Sequence, residues 1–400
     1  MRKLYILLLV VVMALAGCGA AETAKIKSVT VLDSDVETQE AGTESGADGT
    51  AGSDDGTTTA AEAGDDTAIS DASPAESEPE VITVNLKAVG DDLIHSGFYN
   101  IGEAHGSDYT FMFENVRDII QEADIAIINQ ETMFVYDKSQ YSDYPCFGSP
   151  TGIGDALIAA GFDVVQLASN HSLDKGLTGI SNTVDYFSDK GVLAIGIYTD
   201  EESASEIPLL EINGVTFVFL NYTYGTNGIA MPNSYCVNTF SDEEKVRDDI
   251  SRARELADIV VALPHWGTEY SYTADSFQEK WTQIFLEEGV DIVIGTHPHV
   301  VQPYEMLTRE DGHEMLVYYS LGNFISWQNK MERMLGGMAD ITITIEDGII
   351  SYEYDLIPLV TYIHSGTATT TYFLSDYDKT DHTYGATKEN VTELFEKIIN

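Results

Sequence analysis

From residue 81 onward, apolar runs recur along the chain, most of them short, each closed by polar or turn-forming residues. Val81–Val89 (VITVNLKAV), Ile125–Ile128, Val164–Leu167, Val192–Ile197, Thr216–Leu220, Ile259–Leu263, Ile292–Ile294 and Met315–Tyr319 read as strands. Several are continuously apolar, the pattern of a strand covered on both faces. Between them the apolar positions take helical spacing. This predicts helices over Phe111–Glu122, Thr178–Lys190, Ser241–Ala257 and Asp275–Glu288. In the third, Ser241 with Glu244 three residues on has the form of a capping box. DITITIEDGIISYEYDLIPL alternates with a period of two around Asp347-Gly348 and predicts an antiparallel hairpin. Lys388–Ile399 reads as a terminal helix. Alternation of this kind gives an α/β fold, a layered sandwich with central mixed β-sheets flanked by helices.

The first eighty residues follow another pattern. MRKLYILLLVVVMALAGC places Arg2 and Lys3 before an apolar stretch of twelve, Leu4 to Leu15, too short for a comfortable membrane span. Leu15-Ala16-Gly17-Cys18 resembles a bacterial lipobox, so residues 1–18 are expected to be a lipoprotein signal peptide with lipid on Cys18. A plain secretory signal and an uncleaved anchor are the alternatives. The expected location is extracytoplasmic, held to the cell membrane by a lipid anchor. Residues 19–80 carry sixteen Asp or Glu against two Lys, with almost no large apolar side chains. Such a segment cannot offset its ordering entropy and is expected to be a disordered acidic tether. Residues 81–364 would then form the folded domain and 365–400 a C-terminal tail.

Charge narrows the partners. The formal net charge is −46. A bare polyanion is repelled at long range, so nucleic acid is not expected as a partner. Binding any polyanion requires a local positive charge, and a divalent metal is one way to supply it. Apart from Cys18 the chain has two cysteines, Cys146 and Cys236, which could form a single disulfide in an oxidising compartment but are no framework and are expected to be free or incidental.

Candidate chemistry gathers where the apolar runs stop. Gly90-Asp91-Asp92-Leu93-Ile94-His95, Asn129-Gln130-Glu131, Asn170-His171 with Asp174 and Gly176, His265-Trp266-Gly267-Thr268-Glu269-Tyr270 and Thr296-His297-Pro298-His299 each follow a strand-like run. Loops at the carboxyl ends of strands converge on one edge of a sheet. Asp, Glu, Asn and His together suit a mixed oxygen/nitrogen site for Mn, Zn, Fe or a similar ion. Five of the nine histidines lie in these loops. In an extended run, residues two apart face one side, so His297 and His299 are expected to share a pocket across Pro298. Trp266, Tyr270 and Trp327 are candidates for either cleft lining or core.

The series Gly90-Asp91, Asn129-x-Glu131, Asn170-His171-x-x-Asp174-x-Gly176, His265-Trp266-Gly267-x-Glu269-Tyr270, Gly295-x-His297-Pro298-His299-Val300-x-Gln302 and Ser320-Leu321-Gly322-Asn323-Phe324 resembles the CapA family of capsule and poly-γ-glutamate synthesis proteins. The resemblance runs from about Val84 to Ile363 and implies a calcineurin-like metallophosphoesterase-type fold. It implies that Asp91, Glu131, Asn170, His265, His297 and His299 hold divalent metal (Mn, Zn, Fe or Mg), with Glu131 in the bridging position. His171 would be the catalytic acid or phosphate-oxygen donor, Asp174 its orienting partner and Glu269 a second acid/base. Two departures fall on the bridging side: Leu93 stands where the phosphoesterases place a histidine, and Glu131 where they place an aspartate. One metal and two metals both stay open. The implied role is surface-polymer synthesis or export beside a membrane polymer synthase complex. Three readings follow: a metal-dependent hydrolase of phosphoesters or γ-glutamyl amides, a non-catalytic holder of an anionic surface polymer such as poly-γ-glutamate, and a purely structural docking domain.

Overall fold

A computed structural model describes residues 27–32, 81–364, 368–380 and 384–400. Residues 1–18, read as a signal peptide ending at Cys18, and the rest of the acidic segment, residues 19–26 and 33–80, lie outside the described residues. In chain order the strands are β1 (Lys27–Leu32), β2 (Val81–Leu93), β3 (Ile125–Gln130), β4 (Phe134–Val135), β5 (Ser149–Pro150), β6 (Val164–Gln166), β7 (Leu193–Ile195), β8 (Ile207–Ile212), β9 (Val215–Thr223), β10 (Ile259–His265), β11 (Ile292–Ile294), β12 (Tyr304–Thr308), β13 (Glu314–Tyr318), β14 (Asn323–Ser326), β15 (Leu335–Glu346), β16 (Ile349–His364) and β17 (Ala368–Phe373). A 7-stranded sheet has the order β1-β8-β9-β10-β11-β13-β12. An 8-stranded sheet runs β17-β16-β15-β2-β3-β6-β7, with β14 beside β2. Both are mixed. β9, β10, β11 and β13 pair in parallel, as do β2, β3, β6 and β7; the antiparallel pairs lie at the two ends of the first sheet and fill the β17-β16-β15-β2 half of the second.

The layering explains the continuous apolar runs. Between the sheets, Leu86, Ile127 and Val164 share one core with Phe217, Val261, Ile292 and Leu316. The next residue along turns to the opposite layer. Ile128 packs with Phe98, Ile120, Leu157 and Ile180 from helices Ser96–Ala104, Arg117–Glu122, Gly152–Ala160 and Gly176–Ser188. Val260 and Val293 pack with Val246, Ile250, Trp281 and Phe285 from helices Glu243–Leu256 and Ser276–Glu288. Helix, sheet, sheet and helix therefore stack as a sandwich, and each fully buried aliphatic side chain stabilises it by roughly 1.5–3 kcal/mol. The α/β layered fold expected from the sequence is the fold observed.

The structure corrects several local expectations. Residues 27–32, inside the segment read as tether, form an antiparallel edge strand on β8, with Val29 opposite Leu210. The segment 368–373, assigned to a tail, pairs with β16, and Tyr377, Ala386 and Val391 join the core between the sheets. Phe111–Glu122 is not one helix: a 3-10 turn at Thr110–Met112 precedes the helix Arg117–Glu122. The break has tertiary partners, since Asn115 Nδ2 donates to the Thr370 hydroxyl on β17, which in turn donates to the Met112 carbonyl. Asp242, not Ser241, caps the third helix by accepting from the Lys245 amide, and the true capping box is Asp275 with Gln278. The hairpin forms as expected, with Asp347 and Gly348 at φ +52° and +77°, both in the left-handed region that a two-residue turn requires. Cys146 and Cys236 are free. Among the described residues no helix is long and apolar enough to cross a membrane.

Candidate metal centre

The carboxyl ends of the parallel strands in both sheets meet at one edge of the sandwich. β2 delivers Asp91, and Glu131 directly follows β3. Asn170 and His171 lie a few residues beyond β6, and β10 ends on His265. The loop after β11 carries His297 and His299. All of these are buried.

Three overlapping sets of donor atoms lie within 4.8 Å of one another: Glu131 with His265 and His297; Asp91 with Glu131 and His299; and Glu269 with His297 and His299. Glu131 is common to the first two. Its Oε1 is 3.7 Å from His265 Nε2 and 4.0 Å from His299 Nε2, and neither of its oxygens has a hydrogen-bond partner. The other ring nitrogens are engaged. His299 Nδ1 lies 3.0 Å from both Asp91 Oδ2 and Asn323 Oδ1. His265 Nδ1 lies 3.1 Å from Thr296 Oγ1. These contacts hold each ring with Nε2 toward Glu131, the arrangement that fixes the orientation of metal-binding imidazoles. Asn170 Oδ1 is 3.0 Å from His265 Nε2, completing a ring of oxygen and nitrogen donors.

Electrostatics give the sign of the ligand. Burial pushes the Glu131 carboxyl well above the usual range, only partly opposed by His299. Burial and then His297 push His265 well below an ordinary imidazole, and burial and then His299 do the same to His297. Burial also opposes charge on His299, yet the carboxylates of Glu131 and Asp91 raise it to about 9. The carboxylates of Glu131 and Asp91 thus favour positive charge beside His299. A divalent cation satisfies the same field. The unpartnered Glu131 oxygens, the unpartnered His297 Nδ1 and the O/N donor set fit such an ion.

Asp91 stands at the site but spends its oxygens on the protein. Oδ1 accepts from Asn129 Nδ2 at 2.8 Å and from the His297 amide at 3.2 Å, while Oδ2 faces His299. It therefore positions the histidine loop in addition to lying in a donor set. His171 Nδ1 lies 2.7 Å from Asp174 Oδ2, which also accepts from the Phe147 amide at 2.7 Å. That leaves His171 Nε2 for a bound group. His171 lines a cleft of ≈ 250 Å³ with His95, Phe147, Glu269, Tyr270, His299 and others. Glu269 is exposed at its rim. His95 does not take the place of the missing ligand: its Nδ1 is 2.9 Å from the Leu93 carbonyl, and it belongs to none of the donor sets among the described residues.

The pair that shares the pocket across Pro298 does so by another route than an extended run. His297 has φ +99° and His299 φ +57°, and their ring centroids are 5.8 Å apart. Left-handed backbone at both positions, not strand alternation, aims the rings inward. Trp266 and Trp327 pack in the core, and of the three aromatics only Tyr270 lines the cleft. Sequence reasoning missed the contributions of Asn129, Asn227 (3.3 Å from Asn170) and Tyr224, whose ring is 4.6 Å from that of His297. Asn129 sat within a quoted motif. The other two come from the loop after β9, which lies outside all of the quoted motifs.

A family model described as bacterial capsule synthesis protein PGA_cap matches residues 85–328. The PGA biosynthesis protein CapA of Bacillus subtilis (strain 168) is 27% identical over 257 residues, 61% of this chain and 66% of that protein. The capsule biosynthesis protein CapA of Bacillus anthracis is 28% identical over 261 residues, 62% of this chain and 60% of that protein. The chain thus spans less than two thirds of these relatives. Among solved structures, a phosphatase from Mycoplasma pneumoniae covers 70% of this chain and 95% of its own at 13% identity, with a TM-score of 0.43.

Proposed function

The chain belongs to the bacterial capsule synthesis protein family PGA_cap, and we propose from that premise that it acts in the synthesis or export of an anionic surface polymer of the poly-γ-glutamate class. In this proposal the cleft is a metal-dependent hydrolytic site, held outside the cytoplasm by lipid on Cys18 next to a membrane synthase complex. One observation carries the site reading: a fully buried glutamate, Glu131, with two unpartnered carboxylate oxygens and two imidazole Nε2 atoms turned toward it. Such a group costs several kcal/mol unless a cation compensates it. Glu131, Asn170, His265, His297 and His299 would hold the ion, with Asp91 as the outer support of His299. A divalent ion there supplies positive charge that polarises an acyl or phosphoryl group. His171, oriented by Asp174, donates a proton or hydrogen bond to the leaving or non-bridging oxygen. Glu269 at the rim accepts a proton from an incoming water.

The test is metal analysis and turnover on the full chain, using phosphoesters and γ-glutamyl peptides as substrates. E131Q and H265A should each lose bound metal and hydrolysis together. Metal stoichiometry unchanged in both variants would refute the reading. The anchor is tested separately: C18S should move the protein from the membrane fraction to the soluble fraction.

One observation favours a second reading, a holder without turnover. Among the described residues the donor set of Asp91, Glu131 and His299 holds a single histidine, with Leu93 standing where a second would be expected. Metal-dependent binding of poly-γ-glutamate with no cleavage of any substrate would select it.

A further inference from the structure

Acidic residues outnumber basic ones 66 to 20 in this chain, and almost every guanidinium has found a carboxylate. Arg117 pairs with Asp118, Arg247 with Glu243, Arg252 with Asp249, Arg254 with Asp291 and Arg309 with Asp311. Arg333 is the exception among the described residues. Its side chain has no ion pair and no hydrogen bond, its Nε is buried and unpartnered, and its guanidinium carbon lies 3.4 Å from the centroid of the Tyr270 ring.

The position is tied to the metal centre. Tyr270 lines the cleft beside His171, Glu269 and His299. The Arg333 carbonyl accepts from Asn323 Nδ2 at 2.9 Å, and the other end of the same carboxamide, Oδ1, is 3.0 Å from His299 Nδ1. Asn323 Nδ2 also lies 3.3 Å from Gln328 Oε1, and Gln328 lines the cleft. The Tyr270 amide donates to the Pro298 carbonyl at 2.7 Å, fixing the ring under the guanidinium. Both the cation and the ring it rests on are thus fastened to the loop that carries His297 and His299.

We propose that Arg333, braced on Tyr270, is an anion-recognition residue for the substrate, receiving a side carboxylate of the glutamyl polymer next to the unit held at the metal centre. This rests on the function proposed above and names the contact that selects its substrate class. Stacking on an aromatic face leaves the edge of the guanidinium, with its fork of N–H donors, free to take a carboxylate bidentately. A chain this acidic repels a polyanion, so an unneutralised arginine stacked on a residue of the cleft wall is the group on which such a ligand would find its first favourable contact.

The experiment titrates the full chain, loaded with Mn²⁺, with a short γ-linked glutamate oligomer and separately with inorganic phosphate. R333Q should bind the oligomer about tenfold or more weakly, as expected for a lost charge-assisted contact, with manganese content, circular dichroism and phosphate affinity unchanged. R333K keeps a point charge and loses the planar fork, so it should fall between wild type and R333Q. Oligomer binding by R333Q equal to wild type overturns this inference and leaves the metal-site reading standing. Loss of phosphate binding in R333Q with oligomer binding intact overturns the carboxylate assignment in favour of a phosphate receptor. No oligomer binding by the wild-type protein overturns both this inference and the polymer reading beneath it.

Discussion

His297 and His299 show how much a residue pair conveys and what it withholds. Their two-residue spacing after an apolar strand, together with Asp91, Glu131, Asn170 and His265, made a shared pocket legible from sequence. Their backbone conformation was not legible, because left-handed φ values at two histidines are imposed by the loop and not preferred by the side chains. This separates ligand from strain in one experiment. H297A and H297G both remove the imidazole, but only glycine relaxes at φ +99°. Chemical denaturation without metal should find H297G more stable than H297A by about 1 kcal/mol; equal stability would mean that the loop carries no strain at this position. Asp92 shows the opposite case, a polar residue no motif explains. It is fully buried, both carboxylate oxygens lack partners, and burial pushes its carboxyl well above the usual range. Replacing such a group relieves a desolvation cost of about 1–3 kcal/mol. D92V, which removes both unpartnered oxygens, should therefore raise the denaturation midpoint with no loss of metal content, and a lowered midpoint would show that Asp92 has a partner.

At the scale of elements, strands buried on both faces were the most readable. β3, β10 and β11 were expected from short apolar runs and sit where those runs are. β8, β12 and β17 went unread because their register with a neighbour, and not their own pattern, makes them strands: each carries partly exposed or hydroxyl-rich positions and joins toward a sheet edge. Helix Gly152–Ala160 was missed for a related reason, its glycines at 152 and 154 weakening a short apolar pattern. One glycine has a sharper structural reason. Gly90 ends the apolar part of β2, where the loop before β14 crosses so closely that a Cβ would meet the Gly322 carbonyl oxygen at 1.8 Å. The Asp91 amide donates to that same carbonyl at 2.9 Å. G90A should thus push β2 and β14 apart at the point that sets Asp91, costing about 3 kcal/mol by overpacking. Its metal affinity should fall as well, although no ligand is removed. Metal affinity equal to wild type in folded G90A would show that Asp91 is set from elsewhere.

The whole molecule is a polyanion proposed to handle a polyanion, and this sets a kinetic expectation that no single residue determines. From residue 81 on, fifty acidic residues face sixteen basic ones, so the folded part repels a glutamate polymer even without the acidic segment before it. Salt shortens the Debye length from about 30 Å at 0.01 M to about 8 Å at 0.15 M and screens that repulsion before it screens a contact inside the cleft. Association of the manganese-loaded chain with poly-γ-glutamate should consequently speed up as salt is raised over this range, the reverse of a steered pair of opposite charge. Chelation should abolish the complex at every salt concentration, because the metal and Arg333 would then no longer act together in the cleft. Stopped-flow association at several salt concentrations, with and without chelator, separates the two effects. An association rate that falls steeply with salt would mean that the polymer first meets a positive surface, and would overturn this expectation.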